Sequence, residues 1–339
     1  MFSKRFKKAL SVIAASAVIA SCTAATMPVS AFVDSPGITQ VYSIKNYDAE
    51  REFSVKRLGS LHSYSFNTLY MGCGSNDRIP TGIWASEGMK LKVYVKAQNG
   101  DAIPKIMFTQ HLTAGNSQKI IQLENGINEI TVPAVTSSVE SGYEQGGTVY
   151  LVNDYTEAQQ SENVRVYIDG GDKIPYFEKG GNVREFVSRL GEYYTRYKNN
   201  ETGFHNITEI WGDHVVMTFS AERCYEAFIQ GGLYPQRSAE NMDEYYESLL
   251  RFDDLEYEEY RHLSTNLRAA KMAPGVAAYA AMEGIVAVPD NDYTGSALKG
   301  SGFGWGYPHE FGHIFDNTKK MQLEVTNNIY SLKHILDNG

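Results

Sequence analysis

The sequence predicts an α+β protein with two folded domains, an antiparallel β-sandwich followed by a mostly helical domain. Its 339 residues are 42% apolar and 21% charged, the composition of a globular protein long enough for about two domains. Apolar and polar residues alternate through much of the first half, which is the period of strands. In the second half, apolar residues recur every three or four positions, which is the period of helices.

Strand-like patterns fill residues 32–180. The apolar residues of "KLKVYVKA" alternate with polar ones, as in a half-buried strand. Two apolar runs flank Asn125 and Gly126, and this pair predicts a hairpin because both residues tolerate positive φ. The stretches "GGTVYLVNDY" and "NVRVYIDGG" continue the series. We therefore expect an antiparallel β-sandwich over residues 32–180.

The pattern changes after Gly180 and Gly181, which mark the predicted domain boundary. A helix is predicted next, with apolar residues on one face at Val183, Phe186, Val187, Leu190, Tyr194 and Tyr197. A short strand is predicted at "HVVMTFS", and helices around Ala221–Gln230 and Asn241–Phe252. Residues 181–339 are accordingly predicted to form the second, mostly helical domain.

The first 31 residues have the pattern of an export signal. A basic start precedes an apolar run, Ala9–Ala20, and then small residues. We expect cleavage after Ala31 and secretion. The alternative is a bacterial lipobox ending at Cys22, which would give a lipid-anchored protein at the cell surface. No later segment has the roughly 20 apolar residues of a transmembrane helix, so no transmembrane segment is predicted.

Charge excludes some partners. Residues 1–31 contain four basic and no acidic residues, so their removal lowers the net charge by four, from −9 to −13. This acidic balance argues against nucleic acid and anionic membrane surfaces as partners. The cleaved protein would keep Cys73 and Cys224, and the sequence leaves open whether they form a disulfide.

The candidate site is the stretch "GWGYPHEFGHIFDN". His309 and His313 are four residues apart, so on a helix both imidazoles can reach one metal ion. Pro308 suits a first helical position. Glu310 lies beside the first histidine and can hold the attacking water, the division of labour in zinc peptidases. Gly312 is unfavourable inside a helix by about 1 kcal/mol, which indicates that another backbone or the substrate passes close to it.

A third zinc ligand is available downstream. Ten residues separate His313 from Glu324, which we expect on a second helix packed against the first. His309, His313 and Glu324 would then bind one Zn²⁺ and leave a position open for water. Asn328 and Asp316 are candidates to accept the outer N–H of a ligating imidazole. The alternative is a polar surface helix, since a bare His-Glu-x-x-His also occurs by chance.

These residues carry a family resemblance. The run "GWGYPHEFGHIFDN" with "EVTNNIYSL" resembles the enhancin-like metallopeptidases, the viral enhancins and bacterial mucin-degrading proteases, and "PTGIWASEGMKLKVYV" extends the likeness into the first half. The resemblance implies a gluzincin-type catalytic domain, one zinc ion, and a glycoprotein or mucin substrate. The sequence stops soon after the motif, so we expect its catalytic domain to be incomplete at the C-terminus.

Two other functions stay open at this point. One is a glycan- or mucin-binding module in which zinc is only structural, and the other is a zinc amidase that acts on cell-wall peptide. The oxyanion donor is also open: Tyr330 and His334 are the only nearby candidates, and helix packing or solvent contact is the better interpretation of each. Trp305, just ahead of the site, is a candidate to line the substrate cleft.

Overall fold

The computed structural model describes residues 38–55, 78–111, 117–136, 145–152, 164–253, 268–272, 278–281, 285–290, 292–316, 322 and 324–338. The predicted export signal, with Cys22 and Ala31, and the cysteine at position 73 lie outside the described residues. Within the described part, none of the helices combines the length and the apolar character needed to cross a membrane.

The first half of the protein forms two antiparallel sheets, preceded by the short helix α1 (Ile38–Val41) and a 3-10 turn (Ala49–Arg51). The described strands are β1 (Glu52–Val55), β2 (Arg78–Ser86), β3 (Lys90–Lys96), β4 (Lys105–Gln110), β5 (Ser117–Gln122), β6 (Gly126–Thr131), β7 (Gly146–Val152), β8 (Val164–Asp169) and β9 (Asp172–Lys173). The strand orders are β1-β8-β3-β6 and β5-β4-β7-β2-β9.

Buried side chains from both sheets form one hydrophobic cluster. Leu91, Val93 and Val95 of β3 are buried in it, because alternate residues of a strand face the same side. The other sheet contributes Phe108 and Val149. Burial of each such side chain stabilises the fold by about 1.5–3 kcal/mol. The β-rich first half predicted from alternation is confirmed.

The predicted hairpin at Asn125 and Gly126 is wrong. Strands β5 and β6 flank this pair, but β5 pairs with β4 and β6 pairs with β3, in different sheets. The connection is held at the end of β3, because the Asn125 side chain accepts from Ala97 N–H at 2.9 Å and donates to its C=O at 3.3 Å. A turn motif sets the local backbone but not the pairing partner, so these strands cross from one sheet to the other.

The second half contains a six-stranded mixed sheet. Its strands are β10 (Tyr176–Glu178), β11 (Thr208–Trp211), β12 (Val215–Phe219), β13 (Arg268–Met272), β14 (Tyr279–Ala281) and β15 (Ile285–Val288), in the order β10-β11-β12-β13-β15-β14. The sequence predicted only β12 among β11 to β15. The segments "RAAKM" and "YAA" escape detection because alanine is rare in strands and no two-residue period is visible.

Along the sequence, helices lie between the strands of this sheet and after the last of them. They are α2 (Val183–Lys198), α3 (Ala221–Tyr225), α4 (Pro235–Asp253), α5 (Asp292–Lys299), α6 (Gly306–Phe315) and α7 (Asn328–Asn338), with a π-helical turn (Glu226–Gln230) after α3. The helix predicted after Gly181 is confirmed as α2. The side-chain oxygen of Asn182 caps it by accepting from Glu185 N–H at 3.2 Å. Phe186 and Leu190 lie on its buried face.

Helix α6 lies deep in the core of the second half. Phe311, Ile314 and Phe315 of α6 are buried together with Tyr330 of α7. A Cβ at Gly312 would stand 2.6 Å from the backbone oxygen of Asn327, the residue that immediately precedes α7. The glycine therefore lets the two segments approach, which explains why it is tolerated inside the helix.

A buried carboxylate links the first half of the protein to the second. The Tyr150 hydroxyl on β7 donates to Glu209 on β11, and the other carboxylate oxygen accepts from Trp211 Nε1 at 3.0 Å. Thr218 on β12 also donates to Glu209, at 3.3 Å. Burial raises the pKa of Glu209 to about 7.

Candidate metal centre

Helix α6 brings the two histidines to one side. His309 and His313 are one turn apart, and their rings meet edge to face with centroids 4.9 Å apart. The helix begins at Gly306, two residues before the predicted start at Pro308. Proline costs no hydrogen bond here, because the first backbone bond of the helix runs from His309 N–H to the carbonyl oxygen of Trp305 at 3.1 Å.

Glu324 meets both histidines. Its Oε2 lies 3.1 Å from Nε2 of His309, and its Oε1 lies 3.5 Å from Nε2 of His313. The prediction that a helix carries Glu324 is wrong. This residue lies in the turn before α7 with a φ of 61°, a left-handed conformation that an α-helix excludes. The structure thus brings the three predicted ligand residues together by a different local geometry.

Asn328 fixes the orientation of His309. Its Oδ1 lies 2.7 Å from Nδ1 of His309, and its Nδ2 donates to the backbone carbonyl oxygen of Glu324 at 2.7 Å. The second bond assigns Nδ2 and Oδ1 of the amide, so the first must be donated by His309 Nδ1–H. Nδ1 of His309 therefore carries a hydrogen, and in the neutral form of the ring the lone pair is on Nε2. The predicted role of Asn328 as the acceptor for His309 agrees with this geometry.

The donor set fits a zinc ion. Nε2 of His309 and a carboxylate oxygen of Glu324 face each other at 3.1 Å, a separation that either a shared proton or a bound cation can bridge. Ligand atoms about 2.0–2.1 Å from a tetrahedral zinc ion lie about 3.3 Å apart. The separations of Glu324 from the two imidazoles bracket that value. Two imidazoles and one carboxylate are also a set that catalytic zinc uses.

Glu310 has a different environment from Glu324. Potential ligand atoms of His309, Glu310 and His313 lie within 4.8 Å of one another. Glu310, like Glu324, is therefore close to both histidines. Glu310, however, is buried, and its carboxylate accepts from Ala280 N–H on β14. Burial raises the pKa of Glu310 to about 7. The side chain of Glu324 is 64% exposed. A carboxyl group that titrates near neutrality suits proton transfer better than permanent coordination.

The two candidate oxyanion donors make packing contacts. Tyr330 is buried and its ring centroid lies 6.1 Å from that of Phe315. The His334 ring stands edge-on to Tyr245, with centroids 5.1 Å apart, and burial lowers its pKa. These contacts agree with the packing interpretation of both residues.

Two further predicted residues border the site. Asp316, at the end of α6, accepts a hydrogen bond from the Thr326 hydroxyl and so ties the end of the helix to the turn that carries Glu324. Trp305 precedes α6 and is 43% exposed. Its backbone carbonyl oxygen accepts from the Ser331 hydroxyl of α7 at 2.9 Å.

The sequence patterns do not predict two features of the site. One is β14, the edge strand whose Ala280 contacts Glu310, and nothing in "YAA" predicts it. The other is Asn327, whose buried amide lies against both imidazoles. The sequence signal for it is its place beside Asn328 in "EVTNN", directly before the start of α7.

Two histidines one turn apart, a buried glutamate beside them and a second carboxylate facing both form the kind of site found in metal-dependent hydrolases. Comparison with known families agrees. Residues 170–336 match the peptidase M60 family of enhancin and enhancin-like proteins, and residues 63–168 match the N-terminal domain of M60-like peptidases. The protein belongs to the M60 family of enhancin-like peptidases, which confirms the resemblance carried by the motif.

Solved structures share the fold. The ZmpB metallopeptidase from Clostridium perfringens is 24% identical, with a TM-score of 0.76 over 85% of this protein and 58% of its own length. The M60 catalytic domain of ZmpC from the same organism, in complex with the sialyl T antigen, is 24% identical, with a TM-score of 0.75 over 85% and 57%. A metallopeptidase from Bacteroides thetaiotaomicron is 15% identical, with a TM-score of 0.60 over 86% and 47%.

This protein therefore spans about half of the length of those three structures. At these identities the likeness concerns the fold alone. No curated protein sequence matches it.

Proposed function

We propose that this protein is an exported zinc-dependent endopeptidase that hydrolyses peptide bonds in glycosylated, mucin-like proteins. The observation that carries the proposal is the carboxylate of Glu324 facing Nε2 of both His309 and His313 at 3.1 and 3.5 Å. These three residues are the proposed zinc ligands, with one ion bound. Membership of a peptidase family supports the type of reaction.

Glu310 and Asn328 have different roles in the proposed reaction. A bound zinc ion would supply Lewis acidity toward the scissile carbonyl and the attacking water. Glu310 takes a proton from that water and passes it to the leaving amine, a role that its raised pKa supports. Asn328 holds His309 in the tautomer that directs the lone pair of Nε2 toward the ligand cluster.

The substrate is proposed to bind as an extended strand beside β14. This strand is at the edge of the six-stranded sheet, and Ala280 directs its N–H away from β15 to Glu310. An extended peptide can add to such an edge through backbone hydrogen bonds. The geometry would bring a scissile bond next to Glu310 and the proposed metal ligands.

The glycoprotein part of the proposal rests on family likeness. The ZmpC catalytic domain, which shares this fold, was solved with the sialyl T antigen, which supports a glycosylated substrate. The two antiparallel sheets are proposed to form a β-sandwich over residues 32–180, ahead of a gluzincin-type domain over residues 181–339. Export through the leader of residues 1–31 would deliver the enzyme to extracellular glycoproteins.

The test is cleavage of an O-glycosylated mucin and of its deglycosylated counterpart, with Glu310→Gln as the matched inactive variant. Cuts that require glycans and vanish in the variant are expected. Zinc binding without any cleavage, combined with mucin binding that survives in the variant, would instead indicate a binding module. Release of cell-wall fragments without glycoprotein cleavage would indicate an amidase.

A further inference from the structure

A cavity of about 300 Å³ lies where the first half of the protein meets helix α2. Its volume is at the lower end of the range of small-molecule sites, about 300–1,000 Å³. Strand β2, residues 173–176 and α2 all contribute to its lining. The apolar and aromatic part of the wall consists of Ile83, Ile174, Pro175, Tyr176, Tyr193 and Phe204.

This cavity is far from the proposed metal centre. Tyr176 belongs to β10, whereas Ala280, which contacts Glu310, belongs to β14. These two strands are the opposite edges of the six-stranded sheet. Five strand spacings lie between them, which amounts to about 24 Å. The cavity is therefore a second concave site, separate from the catalytic one.

A bulge in β2 shapes one wall of the cavity. The pairing of β2 with β7 shifts its register between Pro80 and Ile83, and Gly82 in this bulge has a φ of 64°. A Cβ at Gly82 would stand 2.5 Å from Cδ1 of Tyr176. The Tyr176 ring also stacks on Trp211, with centroids 3.9 Å apart and planes 7° apart. Both contacts fix the tyrosine, so this wall is formed before any ligand binds.

The cations at the cavity are already neutralised. Glu50 accepts from Lys173 at 2.6 Å and from Arg189 at 2.7 Å. Lys173 also pairs with Asp48, and Arg189 pairs with Glu185. Two cations thus share three carboxylates, so an anionic ligand would have to compete with ion pairs that exist within the protein.

The lining nevertheless keeps groups that can bind hydroxyls. Both ion pairs of Arg189 are made by Nη2, and a guanidinium has further N–H donors on its other two nitrogens. Glu192 of α2 adds an exposed carboxylate, and Tyr176 adds a hydroxyl. A sugar ring has apolar C–H faces and hydroxyls around its rim. Aromatic and apolar walls with a few placed polar groups suit such a ligand.

We propose that this cavity binds one neutral sugar unit of a glycosylated substrate, as an accessory site in addition to the catalytic one. The inference rests on the proposed function, in which the substrate carries glycans. An extended peptide covers about 3.3–3.6 Å per residue, so roughly seven residues span the distance between the two sites. A substrate with many glycans can therefore place one in the cavity while a peptide bond further along is cleaved, and this second contact strengthens binding.

The first experiment measures binding of free sugars to the full-length protein by saturation-transfer-difference NMR titration. Galactose and N-acetylgalactosamine are the neutral probes, and N-acetylneuraminic acid is the anionic one. Glu192→Ala and Tyr176→Phe should each weaken the binding of a neutral probe about tenfold, because each removes one hydrogen-bonding group. Alanine suits an exposed helix position, and phenylalanine keeps the ring that stacks on Trp211, so both variants should fold.

Glu178→Ala is the matched control. Glu178 is an exposed glutamate of β10 that is not part of the cavity lining, so its removal should leave sugar binding unchanged. Three results would overturn the accessory site: binding of neither neutral probe, tighter binding of the anionic probe than of both neutral ones, or neutral binding that Glu192→Ala and Tyr176→Phe leave unchanged.

The second experiment asks whether the substrate uses the cavity. Glu192→Ala should raise KM several-fold more for a long O-glycosylated mucin than for a singly glycosylated peptide of about five residues, which is too short to reach both sites. Glu178→Ala should leave both KM values unchanged. Equal effects of Glu192→Ala on the two substrates would overturn the role of the cavity in substrate binding.

The two experiments separate this inference from the proposed function. Sugar binding is measured without cleavage, so sugar binding in a protein that cleaves nothing would contradict the peptidase proposal and leave the accessory site standing. Glycan-dependent cleavage by a protein whose cavity binds neither neutral probe would overturn the accessory site alone.

Discussion

Asn328 Oδ1 accepts a hydrogen bond from His309 Nδ1 at 2.7 Å, while Asn328 Nδ2 donates to the backbone oxygen of Glu324 at 2.7 Å. A single side chain thus orients one proposed ligand and holds the backbone of another. That backbone needs support, because Glu324 has a φ of 61°, which is unfavourable for residues other than glycine. The geometry of the site therefore depends on Asn328 at two points.

We predict that Asn328→Ala lowers zinc affinity by about 10- to 100-fold, the usual cost of losing the partner of a ligating histidine. Competition with a chromophoric chelator measures the zinc affinity of the wild type and the variant. Asn182→Ala is the control, because Asn182 caps α2 and contacts none of the proposed ligands. It should cost about 1 kcal/mol of stability and leave zinc affinity unchanged. Equal zinc affinity in wild type and Asn328→Ala would show that the amide does not orient His309.

We predict that Glu310→Gln lowers kcat by about 10²- to 10⁴-fold, the contribution of a positioned acid or base, and leaves zinc affinity unchanged. Glutamine keeps the shape of the side chain and can still accept from Ala280 N–H, but it cannot take up a proton. Cleavage kinetics on a glycosylated substrate measure the effect, with Glu185→Gln on the exposed part of α2 as the control. A large loss of zinc affinity in Glu310→Gln would mean that Glu310 itself binds the metal.

The sequence predicted the members of this site better than their geometry. The spacing of His309 and His313 fixes their relation as soon as the helix is assigned. The position of Glu324 depends on a turn with positive φ, which spacing does not reveal. Ala280 reaches Glu310 only through the order of strands in the mixed sheet, and sequence patterns carry no information on that order.

In the fold, too, the sequence predicts local features but not the pairing of distant segments. The period of α2 predicted both the helix and its buried face around Phe186 and Leu190, because that face follows from local geometry. The sequence predicts a turn at Asn125 and Gly126, but the strands on either side of it, β5 and β6, pair with β4 and β3 and not with each other. Pairing depends on packing between distant segments, which a local turn motif cannot decide.

Gly312→Ala tests the close approach of α6 and α7. The new Cβ would stand 2.6 Å from the backbone oxygen of Asn327 and 2.9 Å from the Tyr330 ring, so one segment must move. We expect a loss of about 1–3 kcal/mol in the free energy of unfolding, despite the better helix propensity of alanine. Urea denaturation measures the change.

Gly295→Ala in α5 is the matched control for that experiment. Nothing lies within 4 Å of its Cβ position, so only helix propensity changes and stability should rise by up to about 1 kcal/mol. The same sign at both glycines would contradict the close approach at Gly312.

Glu209 should make stability depend on pH. Its pKa is about 7 in the folded protein, raised by burial from a usual value of 4.5. Between these values the folded state binds more protons than the unfolded state, so the stability present below pH 4.5 is lost as the pH rises through 7. This pKa difference corresponds to on the order of 3 kcal/mol of stability.

Glu209→Gln removes the ionisable group and keeps an oxygen that can accept from Trp211. The measurement is the free energy of unfolding of both proteins from pH 4.5 to pH 8. The wild type should lose more stability than the variant, and parallel curves would show that Glu209 ionises in the folded protein as freely as in the unfolded state.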